Sequence, residues 1–254
     1  MKNRFYLNTL YDDSHKLNVE KWLSSKQKIV ASIAPSYLAE FDTDPHKVAG
    51  ALRTLGIFEV EETVTVLPQI TESRQKLIDN SSKPIIFSSC PVIRKIIEDN
   101  FPNLKRFLCR LPSPMVLHGQ ILKQKFPQSK VVFIGPCFAK QKEEVWFYKK
   151  QTIDAVITFK DLRSLFKKNN INIEKSKPHS FLSTPEKWAR FGPLIYYKTG
   201  LDNIVQLFKQ WDSLELKEKA LELLACRGGC LMGPGMTTNK TLKQRVELFN
   251  KLLE

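Results

Sequence analysis

A chain of 254 residues with 42% hydrophobic side chains is long enough to bury one large core or two modest ones, and nothing in it suggests disorder. Lys and Arg number 40 against 26 Asp and Glu, a formal net charge of +14 that suits either an acidic protein partner or only a Lys-rich proteome; the lysines are scattered and no Arg-rich or aromatic–basic motif gathers them, which argues against nucleic acid. The N-terminus has no apolar core of signal length, no apolar run is long enough to span a membrane, and five cysteines at irregular spacing leave one unpaired in any disulfide scheme, so a reducing, cytoplasmic setting is expected.

Met1 to Gln27 reads as a polar leader without cysteine, carrying one helix around Leu17 to Leu23. Ile29 to Ile33 is a short apolar run ended by Ala34-Pro35-Ser36, the pattern of a buried strand. His46 to Leu55 has helical spacing and closes on Gly56, and Phe58 to Leu67 returns to β-branched residues, completing a β-α-β unit. Thr71 to Asp79 predicts a helix and Ile85 to Phe87 a second buried strand, with Cys90 directly beyond it, where open parallel sheets place their ligands. A helix over Val92 to Asn100, a Pro-rich loop over Arg110 to Pro114 and a helix over Met115 to Lys125 follow. Lys130 to Gly135 predicts a third strand leading to Cys137, and Ala155 to Thr158 a fourth, with Thr158 and Asp161 spaced as a capping box for a helix over Asp161 to Phe166. Asn169 to Lys198 carries no clear pattern, and from Leu201 onward the chain reads as largely helical, including Leu214 to Leu224. The repeated order of strand, loop and helix predicts an α/β architecture of mainly parallel sheets flanked by helices.

Leu223 to Met236 reads LLACRGGCLMGPGM, placing Cys226 and Cys230 around an Arg-Gly-Gly spacer before a Gly-Pro-Gly turn. Glycines beside cysteines let the backbone approach closely and aim amide N–H groups at sulfur. Cys90 in Ser88-Ser89-Cys90-Pro91 and Cys137 in Gly135-Pro136-Cys137 also lie at turns beyond apolar runs. Four thiolates gathered from separate turns suit either a structural zinc or an iron–sulfur cubane. Cys109, after the apolar Phe107-Leu108, is read as a packing residue. Lys140, three residues beyond Cys137, would share its face if a helix begins there, and Glu143 would anchor Lys140 as an ion pair.

Three short stretches in order resemble the signatures of the iron-only hydrogenase catalytic domain. Phe87-Ser88-Ser89-Cys90-Pro91 is similar to the first, which in active members carries two adjacent cysteines before Pro; Gly135-Pro136-Cys137-Phe138-Ala139-Lys140 with Glu143 resembles the second, and the Cys226 to Gly235 stretch the third. The resemblance runs from about Lys28 to the end and is weakest between Lys175 and Thr199. It implies a polar leader followed by one hydrogenase-like domain over residues 28–254, with two intertwined lobes around an iron–sulfur cleft. It further implies Cys90, Cys137, Cys226 and Cys230 as metal ligands of a [4Fe–4S] cluster, with a diiron subcluster (H-cluster) as well in the alternative of an active enzyme. In active members the residue matching Lys140 holds a cyanide of that diiron unit, and the cysteine matching Ser89 passes protons to it. A serine hydroxyl lacks a thiol's accessible pKa, so Ser89 implies weak or no hydrogen turnover. Met115, Gly135 and Leu224 also replace usual pocket residues of active relatives, and Ser113-Pro114-Met115 resembles a stretch lining that pocket. The implied role is sensory or electron-transferring, with ferredoxin or another acidic redox protein as partner, or a signalling partner. An active hydrogenase with altered proton delivery and an iron–sulfur assembly-related protein stand as alternatives.

Overall fold

The computed structural model describes residues 11–183, 195–213 and 219–250. Among the described residues seven strands form two sheets, and every pairing within them is parallel. The first sheet has the order β2-β1-β4-β5, from β1 (Ile29–Ile33), β2 (Glu59–Glu62), β4 (Lys130–Gly135) and β5 (Ala155–Thr158). The second has the order β3-β7-β6, from β3 (Ile85–Ile86), β6 (Ile195–Thr199) and β7 (Ala220–Leu224). All five residues of β1 are buried. Such unbroken burial is what a parallel strand covered on both faces requires, and it explains why Ile29-Val30-Ala31-Ser32-Ile33 shows no polar alternation.

Helices α1 (Ser14–Ser24), α2 (Tyr37–Phe41), α3 (Pro45–Leu55), α4 (Leu67–Asp79), α5 (Pro91–Asn100), α6 (Pro114–Lys125), α7 (Lys140–Phe147), α8 (Phe159–Lys168), α9 (Leu201–Lys209) and α10 (Leu242–Asn250) flank the sheets. Their starts follow from local chemistry. Asp44 accepts from the His46 amide ahead of α3, Ser113 accepts from the Val116 amide ahead of α6, and Thr158 and Asp161 form both halves of a capping box for α8. Gly56 ends α3 in the left-handed conformation with φ 107°. The first core lies around β1, β4 and β5 and includes Val19 of α1, which is fully buried. The second core gathers Ile86, Ile93, Ile97, Leu104, Leu207, Phe208 and Leu221 around the smaller sheet.

Two readings of the sequence are corrected by this architecture. Strand β2 stops at Glu62, and Phe58 to Leu67 does not continue as one strand: Thr63–Val66 is a 3-10 turn and α4 begins at Leu67. Thr65 Oγ1 donates back to the Glu62 carbonyl at 2.8 Å and Pro68 falls in the first helical turn, so local hydrogen bonding outweighs the β-branched composition. The helix expected to run into Leu224 is instead strand β7; residues 214–218 lie outside the described residues. Ala220, Leu221 and Leu223 are fully buried because β7 is the central strand of its sheet, and a run covered on both faces has no period by which to tell it from a helix. Strand β6 emerges from a stretch without a readable pattern, of which residues 184–194 lie outside the described residues.

Candidate thiol site between the two sheets

Cys90 follows β3, Cys226 follows β7 and Cys137 follows β4, so the carboxyl ends of strands from both sheets deliver thiols to one region. Cys90 is the N-cap of α5 without a side-chain capping hydrogen bond, and the nearby backbone of Val92, Ile93 and Ala225 favours its thiolate. Cys90, Cys137, Phe138, Trp146 and Ala225 pack against buried Val92 and Ala139, a small apolar cluster joining elements of both sheets. Cys226 and Cys230 bracket a turn closed by the Gly229 amide on the Cys226 carbonyl at 3.0 Å. Gly228 and Gly229 stand at φ 81° and 70°, left-handed values that a side chain would strain. The turn is docked beside Cys137 by the Gly235 amide, which donates to the Pro136 carbonyl at 2.7 Å.

Burial raises the Cys90 thiol above its ordinary pKa despite that backbone. It does the same for Cys137, where the approach of Cys90, Cys230 and Cys226 adds to the effect. Cys226 is pushed up to about 11 by burial and by Cys90. Cys230, exposed as a residue, is pushed up to about 12 because protein crowds its thiol and Cys90 lies near. The four thiols therefore approach one another in protonated form.

Among the described residues no group of three or more His, Cys, Asp and Glu side chains is arranged to hold a metal ion. That finding overturns the expectation of a [4Fe–4S] cluster and a diiron subcluster on Cys90, Cys137, Cys226 and Cys230. The diiron expectation fails a second test. Lys140 is half-buried, its side chain 13% exposed, and its ammonium donates to the Ser89 carbonyl at 2.8 Å, to Ser113 Oγ at 3.2 Å and to Glu143 Oε2 at 2.7 Å. Those contacts match the three N–H donors an ammonium has, leaving none for a further ligand. Burial alone would lower the Lys140 pKa; the Glu143 carboxylate reverses this and raises it, so the charge is retained.

Ser89 is held on every side. Its amide donates to Glu222 Oε1 at 3.1 Å, its carbonyl accepts from Lys140, and its hydroxyl accepts from Arg74 Nη2 at 3.1 Å. Arg74 Nη2 also pairs with Glu222 Oε2 at 2.8 Å. The reading of the sequence passed over Arg74 and Glu222. One signal was available: a glutamate inside the otherwise apolar Ala220–Leu224 must find a cation if that run is buried. Cys109, read as packing, is half-buried and lies close enough to Arg74, Glu222 and Arg94 for their charges to act on its thiol.

Residues 27–196 match the family model described as iron only hydrogenase large subunit, C-terminal domain. Among curated proteins, iron hydrogenase 1 of Clostridium pasteurianum is 28% identical, over 89% of this chain and 53% of its own length. The NADP-reducing hydrogenase subunit HndD of Solidesulfovibrio fructosivorans is 27% identical, over 61% of this chain and 32% of its own. The nuclear prelamin A recognition factor of Danio rerio is 25% identical, over 88% of this chain and 68% of its own. The chain thus spans about half of the first relative and about a third of the second. Of solved structures, the [FeFe]-hydrogenase HydA1 of Chlamydomonas reinhardtii, in a variant form, superposes with a TM-score of 0.74 at 18% identity, covering 91% of this chain and 88% of that one. A HydA(deltaEFG) [FeFe]-hydrogenase superposes equally, with a TM-score of 0.74 at 17% identity over 91% and 88% of the two chains. At such identities the superpositions speak for the fold: parallel sheets flanked by helices, as in the [FeFe]-hydrogenase catalytic domain.

Proposed function

The chain belongs to the family of iron-only hydrogenase catalytic domains, those that form the C-terminal part of the large chain, and from that membership we propose a hydrogenase-like protein with a sensory or electron-transfer role and weak or no hydrogen turnover. Its working residues in this reading are Cys90, Cys137, Cys226 and Cys230 as a thiol site, with Lys140 and Glu143 as a fixed charge pair beside it. The observation that carries the proposal is the state of Ser89. A hydroxyl whose oxygen already accepts from Arg74 and whose ordinary pKa lies far above neutrality does not take up and release protons as a thiol near 8.5 can. Lys140 meanwhile holds the backbone of Ser89 and the hydroxyl of Ser113, a positioning role within the chain. The name of the prelamin A relative, which is not that of a hydrogenase, supports a fold put to more than one use.

The partner in this reading is an acidic soluble protein, a ferredoxin or a signalling protein of like charge, drawn by the +14 net charge. No helix among the described residues is long and apolar enough to cross a membrane. The test is anaerobic hydrogen evolution from a reduced viologen dye by the native and Ser89→Cys proteins, each coexpressed with the maturation proteins of a catalytic hydrogenase. Native turnover is expected at least ~10²-fold below a catalytic relative, the smallest loss usual for a missing proton-transfer group. Native turnover equal to that relative overturns the proposal in favour of an active enzyme.

A further inference from the structure

The pairings around β3 set three side chains side by side. Ile86 pairs with Leu221 on one side and bridges Leu108 on the other, both in parallel, and the Cys109 amide donates to the Ile86 carbonyl at 2.9 Å. One residue onward lie Phe87, just past β3, Glu222 within β7 and Cys109, just past the isolated Leu108 bridge, and residues following such parallel pairings at one level face the same side. The Arg74 guanidinium lies over that level. It sits 5.0 Å from the Phe87 ring centroid, pairs with Glu222 at 2.8 Å and donates to Ser89 Oγ at 3.1 Å. Both charged side chains are buried, at 9% and 12% exposure. Arg74 comes from α4, which follows strand β2 of the first sheet, whereas Glu222 lies in the second sheet and Phe87 and Cys109 lie at its edge. Glu222 resists ionisation through burial, and Arg74 works against that.

We propose that Arg74 is a built-in occupant of the pocket beside Ser89: its guanidinium fills a planar site formed by Phe87, Glu222, Ser89 and Cys109, and latches α4 to the smaller sheet. The site is thus a guanidinium site satisfied from within the chain. This deepens the reading above, resting on it only in taking Ser89 as the edge of the working site. The planar fork matters because one guanidinium reaches a carboxylate and a hydroxyl while stacking on a ring, which an ammonium does not reproduce.

The experiment is maleimide labelling of Cys109 in the native full chain, followed by mass spectrometry. Arg74→Ala should label Cys109 roughly tenfold faster or more, as local protection is lost. Methylguanidinium added to that variant should return labelling toward the native rate, while methylammonium should not. Loss of the cation would of itself move the thiol toward its protonated, less reactive form, so acceleration reports access. If circular dichroism shows that Arg74→Ala does not fold, Arg74→Lys serves, with accelerated labelling again expected. Unchanged labelling in a folded variant overturns the proposal. So does acceleration of Arg74→Ala that methylguanidinium fails to reverse, because the substitution would then have loosened the fold generally. Hydrogen turnover is not read here, so this proposal and the functional one fail separately.

Discussion

Arg74 and Glu222 are far apart in the chain and meet only through the fold, which is why no spacing rule could pair them. Their burial makes a non-additive prediction. Arg74→Met leaves the Glu222 carboxylate buried without its cation and should cost about 3–5 kcal/mol in urea unfolding, whereas Arg74→Met with Glu222→Leu should recover most of it. Equal loss in the single and double variants would contradict the pairing. A second carboxylate yields a pH prediction. Burial would raise the Glu61 carboxyl, but the His118 imidazole, the Ser183 hydroxyl and Lys125 outweigh it and hold the carboxyl below its usual value of 4.5. A carboxyl with a depressed folded pKa adds stability in full above its unfolded value, and the contribution is lost as pH falls through the folded one. The melting temperatures of native and Glu61→Gln proteins should therefore differ most near neutrality and converge as pH drops below 4.5. A gap that widened in acid would contradict it. Ser89, Lys140 and Glu143 were legible as a group because they stand in short motifs. Their hydrogen bonding was not, since Ser113 and Glu222 come from other elements.

The elements best read from sequence were those with their own punctuation. Gly56 closes α3, Pro114 opens α6, and Thr158 with Asp161 starts α8; each is a local signal that needs no tertiary context. Thr158→Ala should thus cost about 1 kcal/mol of stability, with Thr158→Asp recovering most of it, because the lost group is a cap. Strand β7 was misread for the opposite reason: its environment lies wholly outside its own sequence. The close crossing at Gly50 was equally hidden. A Cβ there would stand 1.9 Å from the Lys177 carbonyl oxygen, and the segment it would strike is tied down by the His179 amide on the His46 carbonyl at 2.9 Å. Gly50→Ala should therefore destabilise by about 1–3 kcal/mol even though alanine is the better helix former. A gain in melting temperature would show that the 177–179 segment yields freely.

Taken as one body, the chain shows that a family fold is far easier to read than a family chemistry. Three short motifs and a strand–helix alternation pointed to two parallel sheets, and the superposition on [FeFe]-hydrogenases agrees. The cofactor expectation drawn from the same motifs did not survive, because four cysteines at the right positions in sequence do not by themselves make an arrangement for a metal ion. Charge belongs to the protein as a unit. With a net +14, association with a small acidic ferredoxin should weaken steeply as salt rises from about 0.05 to 0.5 M, because opposite fields are screened within a Debye length. Affinity independent of salt in isothermal titration would remove that partner class. The proposed weak or absent hydrogen turnover belongs to the site as a whole, spread over Ser89, Arg74 and Lys140. Its most direct test is anaerobic exchange between deuterium gas and water, followed by mass spectrometry of the gas, for native, Ser89→Cys and a catalytic hydrogenase prepared alike. Background exchange is expected from the native chain and little recovery in Ser89→Cys, since restoring one thiol leaves the Arg74 contact with Glu222 and the three Lys140 hydrogen bonds in place. Exchange by the native chain at the rate of the catalytic enzyme would contradict it.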